Sequence, residues 1–209
     1  AATAAPTPLV APAPLAPAGR VLRDEVKANM LFSCFFTTDA RALVVGGMRD
    51  KELAFWDLCT GARSVAATSV GTFFTIAASP TGRQCCVASA DGVAVYRIVE
   101  PGGVELEWTA LAGLKPSDAT FSADGALIIA ATSEEGRLHV FRATDGKELG
   151  RREDPAVVYW HHALKWGYPG GLSCSRDLAA VAVRSTGDGV AQAERRVMLL
   201  SLPDLAEVE

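Results

Sequence analysis

Residues Phe121 to Lys147 read FSADGALIIAATSEEGRLHVFRATDGK. A Ser-Ala-Asp-Gly turn leads into the apolar run ALIIAAT, a polar turn follows, and RLHVFR ends on an aromatic before TDGK turns the chain again. Short apolar runs rich in Ile, Val and aromatics, cut by Gly, Asp and Ser clusters, read as strands rather than helices. Both runs are nearly continuous in apolarity instead of alternating, which predicts a sheet covered on both faces.

The same grammar extends in both directions. Words matching FSADG stand at 36–40 (FTTDA), 78–82 (ASPTG) and 174–178 (CSRDL); their fourth positions, Asp39, Thr81, Asp124 and Asp177, are 42, 43 and 53 residues apart. After the first word come RALVVGG and LAFWDL, after the second RQCCVAS and VAVYRI. After the fourth come AAVAVRS, a longer loop at 185–196, and RVMLLSL. Trp56, Tyr96 and Phe141 keep nearly constant distances from their words, and Leu200 takes the aromatic's place in the last copy. A period of about 40–45 residues belongs to a propeller blade, a unit that must stack on its neighbours to bury its faces. The fold class expected is all-β, a β-propeller of four-stranded antiparallel blades, with about four blades in this chain. The blade units fall at roughly 21–60, 61–101, 102–145 and 146–209. Phe36, Trp56, Tyr96, Phe121 and Phe141 are the expected core. Residues 21–26, VLRDEV, sit where an outer strand sits, so Leu22 and Val26 are expected to pair with RVMLLSL or with a strand of another chain. An open arc leaves apolar faces bare. Closure is therefore expected from missing sequence, a partner, a second copy or a tight four-blade ring.

The chain resembles the WD-repeat β-propeller family over about residues 21–209. The resemblance rests on Trp56-Asp57 at a strand end, the Thr60-Gly61 turn after it, and Ser122-Ala123-Asp124-Gly125, similar to the family's Ser-Pro-Asp-Gly turn. The family's tight-turn Asp, six residues before the Trp and bonded to a loop of its own blade, is matched by Asp50 and, before Phe141, by Glu135. Tyr96-Arg97, Phe141-Arg142 and Leu200-Ser201 replace Trp-Asp in the other copies.

Composition narrows the function. With 49% hydrophobic and 21% charged residues the chain is an ordinary globular one, and a net charge of −4 supplies no basic field for nucleic acid or acidic membranes. Five cysteines at 34, 59, 85, 86 and 174 make no CxxC spacing and are read as small buried hydrophobes of a reducing, intracellular compartment. Residues 1–20 form an Ala/Pro-rich tether, uncharged over 1–19 and interrupted by prolines, with neither signal peptide nor membrane span. The uncharged stretch 64–82 is read as outer strand, turn and inner strand rather than a span. The first residue is Ala, which suggests processing or excision from a longer chain.

Candidates for chemistry are few. Asp154, His161, His162 and Asp177 lack metal-ligand spacing, and neither G-x-S-x-G nor S-x-x-K occurs. No cofactor or metal is expected. The stretch 151–171, RREDPAVVYWHHALKWGYPGG, is where the repeat period lengthens, and it gathers Arg151, Arg152, Tyr159, Trp160, Trp166 and Tyr168. Aromatics and Arg are the residue types enriched at interface hot spots. The function expected is a noncatalytic protein-interaction scaffold within a multi-subunit assembly, with self-association a route to closure. A lactonase-like or metal-dependent propeller hydrolase is the alternative, and a nucleic-acid-associated propeller ranks third.

Overall fold

A computed structural model describes residues 31–37, 42–47, 52–71, 73–99, 103–132, 136–153, 172–184 and 195–208. The first sheet contains β1 (Leu31–Phe36), β2 (Ala42–Gly47), β3 (Glu52–Asp57) and β4 (Arg63–Ala67). The second contains β5 (Phe73–Ala78), β6 (Gln84–Ser89), β7 (Gly92–Val99) and β8 (Gly103–Ala110). The third contains β9 (Pro116–Phe121), β10 (Leu127–Thr132), β11 (Arg137–Arg142) and β12 (Glu148–Glu153). The fourth contains β13 (Leu172–Cys174), β14 (Leu178–Arg184) and β15 (Arg195–Ser201). Each sheet is an antiparallel meander in chain order. No helix occurs among the described residues, so none there is long and apolar enough to cross a membrane.

Each word is the turn between the first two strands of its sheet, and its chemistry explains its spelling. The second position is always Thr or Ser, and in the first, third and fourth words its hydroxyl accepts the amide that opens the next strand, whereas the Ser79 hydroxyl accepts the Thr81 amide inside the turn. Ala42 donates to Thr37, Leu127 to Ser122 and Leu178 to Ser175, at 3.0 Å in each case. The backbone closes with it: the amides of Thr37, Ser79 and Ser122 reach the carbonyls of Ala42, Gln84 and Leu127, whereas Ser175 reaches Leu178 in a tighter fourth turn. In the third word the Asp124 carboxylate also accepts from Ser122 and Ala126, which holds its carboxyl below the usual range. The words lie side by side between sheets. A Cβ on Gly125 would stand 3.1 Å from Ser79 Oγ, and the Ala123 amide donates to the Ser175 carbonyl at 3.1 Å.

Register fixes which side chains face the next sheet. Leu43, Cys85, Ile128 and Ala179 are equivalent, each paired with its word's first residue, Phe36, Ala78, Phe121 and Cys174. Adjacent Cys85 and Cys86 point to opposite faces as the pleat requires: Cys85 packs with the first sheet's Val44, Leu53 and Phe55, and Cys86 with the third sheet's Ala119 and Phe121. A third junction joins Ile129, Leu138 and Val140 to Ala179, Met198 and Leu200. The four sheets therefore stack in chain order with three apolar junctions, and β4 and β5 occupy the uncharged stretch 64–82 as expected.

Trp56, Tyr96, Phe121 and Phe141 are buried, as their repeat positions predict. Phe36 is not. It is 62% exposed, and Cys34 on the same side of β1 is exposed too. Both point backward, away from the second sheet, where no described sheet is stacked. That face is only partly open, since Ala54 and Trp56, which also point backward, are buried with Leu43 packed against them. Cys59 and Cys174 are partly buried, so only Cys85 and Cys86 are the fully buried hydrophobes expected of all five.

The fourth sheet adds the start of an outer strand from the chain's own end. Ser201 turns back through bonds from Ser201 N to Ala206 O and from Leu205 N to Ser201 O, the pattern also seen from Asp57 to Ala62 and from Arg142 to Lys147. Leu200 then bridges Glu207, and the Val208 amide donates to the Leu199 carbonyl. Residues 206–208 thus occupy the part of the β15 edge beside Leu199–Ser201, the edge that was one of the two expected partners of Leu22 and Val26, the other being a strand of another chain. Residues 21–26 themselves lie outside the described residues, as do Asp50 and Glu135.

Candidate interaction site

Two of the three crossings between sheets are five residues long, 68–72 and 111–115, while the crossing from β12 to β13 takes the 18 residues 154–171. The lengthened period is therefore an insertion on the path from an outer strand to an inner one. Tyr159, Trp160, Trp166 and Tyr168 belong to it and lie outside the described residues, together with Asp154, His161 and His162. Arg151 and Arg152 are described, on the strand that leads into it. Arg151 is exposed. Arg152 turns toward the fourth sheet, donating to the Leu205 carbonyl at 3.0 Å and pairing with Glu207 at 3.2 Å. A Cβ on Gly150 would meet the Pro203 carbonyl at 2.6 Å, so β12 sits tightly against the final turn.

The crossing is framed on the inner side by Asp118, which sequence reasoning did not single out. Its carboxylate accepts the amide of Leu172, the first residue after the insertion, at 3.3 Å, and Thr75 and the Ala119 amide lie near enough to favour its charged form. The Thr75 hydroxyl in turn accepts from Ala119 at 3.2 Å, so inner strands of three successive sheets are laced together. Burial pushes the Asp118 carboxyl up to about 6 against the pull of those hydrogen bonds. Burial, and then the neighbouring Asp118 charge, raises the Cys174 thiol to about 12. For Cys86 burial again dominates, followed by Cys85 and Asp118, and its thiol lies well above the ordinary value.

Other polar groups are also engaged by the fold. Asp91 accepts the Gly71 amide at 2.7 Å, tying the second sheet's tight turn to the crossing before it; its signal was the Asp91-Gly92 pair. Asp57, of the Trp-Asp pair, accepts the amides of Cys59 at 2.8 Å and Thr60 at 2.7 Å. His139 is buried, stacked on Phe141, with Nδ1 2.9 Å from Glu148. Asp177 is exposed, and among the described residues no group of three His, Cys, Asp or Glu is placed to hold a metal.

No family model matches the chain, and no curated protein matches it by sequence. Solved structures match its fold. Hydrazine synthase of Kuenenia stuttgartiensis aligns over 91% of this chain and 52% of its own, with a TM-score of 0.62 at 17% identity. The β-propeller domain of Cps50 (Swd1) from Myceliophteria thermophila aligns over 81% and 52%, with a TM-score of 0.60 at 16% identity. U3-55K aligns over 90% and 53%, with a TM-score of 0.66 at 14% identity. The protein is therefore an all-β chain with the β-propeller fold, in four sheets, and it spans about half the length of each of these structures. At such identities the likeness is one of fold.

Proposed function

We propose that the protein is a noncatalytic WD-like scaffold, intracellular, that binds other proteins through the stretch 151–171, the end of β12 and the inserted crossing 154–171 that follows it. The observation that carries this reading is the insertion itself: two crossings connect the same kind of strands with five residues, so the additional length in the third is not needed for the fold. It carries Trp160, Trp166 and two tyrosines, with exposed Arg151 at its entrance. Large aromatics and Arg bury much area at modest entropic cost, which suits a partner-binding rim. Support for a noncatalytic role comes from the occupations of Asp57, Asp91 and Asp118, whose carboxylates accept backbone amides of the fold.

The hydrolase reading has one group in its favour, the perturbed carboxyl of Asp118, since shifted acids mark catalytic sites. It accepts the Leu172 amide from the next sheet, which makes it a lace between sheets first. The test pairs capture of partner proteins from cells with melting curves for Trp160→Ala and Trp166→Ala. Partner affinity is expected to fall by about 2 kcal/mol or more with the melting curve unchanged. Unchanged capture by a well-folded double variant refutes the proposal.

A further inference from the structure

Asp118 stands at a place in the repeat that another junction fills with a hydroxyl. Thr75 and Asp118 are equivalent, each three residues before the end of its inner strand, at Ala78 and Phe121. Each accepts an amide of the next inner strand: Ala119 donates to the Thr75 hydroxyl at 3.2 Å, and Leu172 to the Asp118 carboxylate at 3.3 Å. Ala119 and Leu172 are themselves equivalent, two residues before Phe121 and Cys174. A neutral acceptor is thus enough for the lace, and at the junction of the third and fourth sheets the acceptor is ionisable. That junction also has the shortest inner strand, three residues in β13 against six in β1, β5 and β9. Asp118 is 7% exposed, and Leu172 and Cys174 of the fourth sheet form part of its cover.

We propose that Asp118 is a proton-operated latch for the fourth sheet: with the carboxyl protonated the sheet docks firmly on the third, and with the carboxylate charged it opens more readily while the other sheets stay packed. Undocking of β13 returns water to the side of Asp118 that Leu172 and Cys174 cover, and a carboxylate gains far more from water than a neutral carboxyl does. No opposite charge among the described residues offsets this. The groups that face Asp118 are the Thr75 hydroxyl of β5 and the thiols of Cys86 on β6 and Cys174 on β13. Ala131 and Thr132 of β10 are uncharged, and β7 meets β9 through Val93 and Val95. Burial raises both thiols, Cys174 to about 12, so neither changes charge in the range where Asp118, raised to about 6, loses its proton. An undocked Asp118 nearer its ordinary value of about 4 leaves the docked state holding the extra proton between those limits. Docking is then strongest below pH ~4, weakens up to pH ~6 and stays at the weaker level above it. The latch needs no partner and does not depend on what the stretch 151–171 binds.

Amide hydrogen exchange of the 209-residue chain, followed peptide by peptide from pH ~4.5 to ~7.5 and corrected for the chemistry of exchange itself, tests this. Peptides of β13, β14 and β15 should open about tenfold more often at the upper pH than at the lower. At neutral pH they should also exchange faster than peptides of β6, β7 and β10, because the fourth sheet opens without the rest. Asp118→Asn removes the ionisation, and Asp118→Thr restores the hydroxyl of the other lace; each should flatten the pH profile of the fourth sheet. Should neither variant fold, the parent profile still decides. Fourth-sheet protection that is constant across the range overturns the latch, as does a fourth sheet that exchanges no faster than β6 and β7 at neutral pH. So does a folded variant that keeps the parent's profile.

Discussion

The indole Nε1 of Trp108, on the outer strand of the second sheet, donates a 2.9 Å hydrogen bond to the carbonyl of Ala143 in the final turn of the third. The ring lies 6.0 Å from Phe141 and so close to Gly146 that an added Cβ there would stand 2.7 Å from it. Gly146 also has a φ of +69°, where an L side chain is strained. Trp108→Ala should therefore cost about 3–5 kcal/mol, through lost packing and an orphaned carbonyl. Gly146→Ala, adding one methyl group, should cost at least about 1 kcal/mol. Denaturant titrations measure both. A neutral Gly146→Ala would mean that the outer strand does not lie on the turn.

Asp118 should make stability fall as pH rises. Its carboxyl is raised to about 6 in the fold against an ordinary value near 4, so between these limits the folded chain holds more protons than the unfolded one. Stability is then greatest below pH ~4, declines to pH ~6, and stays at the lower level above it. Asp118→Asn keeps an acceptor for the Leu172 amide and removes the ionisation. Melting measured across pH should show the variant more stable by about 2–3 kcal/mol at neutral pH and level with the parent at pH ~4. A parallel offset at every pH would assign the effect to packing.

Phe121 and Phe36 occupy the same place in their words and should respond differently to truncation. Phe121 is 5% exposed between the second and third sheets, so Phe121→Ala should cost about 3–5 kcal/mol. Phe36→Ala, at a position 62% exposed, should cost less than about 1 kcal/mol in chemical unfolding of the single-copy protein. Equal costs would place a cover over Phe36.

These contrasts show what the sequence carried. The words, the inner strands and the identity of Leu200 as the fourth blade's aromatic counterpart were legible, because each repeats and each is apolar where two sheets press on it. Outer strands were harder to read: β8 and β12 are half solvated and polar, so Trp108 carried no periodic signal although it fastens two sheets. Asp118 was hidden for a related reason. A lone carboxylate in PSDATF looks like a solvated break in a strand until Leu172, distant in sequence, brings its amide to it. Of the candidate site, the insertion was visible as a lengthened period. The engagement of Arg152 by Leu205 was not visible, since it depends on a turn 53 residues away.

Thiol labelling should divide the cysteines by their burial. Cys85 and Cys86 are 0% exposed, and loss of hydration pushes the Cys85 thiol up to about 12 and Cys86 well above its usual value. The thiolate is the reactive form, so at pH ~8 both are shielded twice, by lack of access and by protonation. Cys174, raised to about 12 and partly buried, should also be slow. Cys34 is exposed and Cys59 partly so, and labelling of the native chain should begin with these two. Mass spectrometry of trapped peptides would then show Cys34 modified first and Cys85 and Cys86 only at the rate of unfolding. Denaturant should bring all five to a common rate. Modification of Cys86 at the speed of Cys34 in native buffer would contradict the packing of the second sheet on the third.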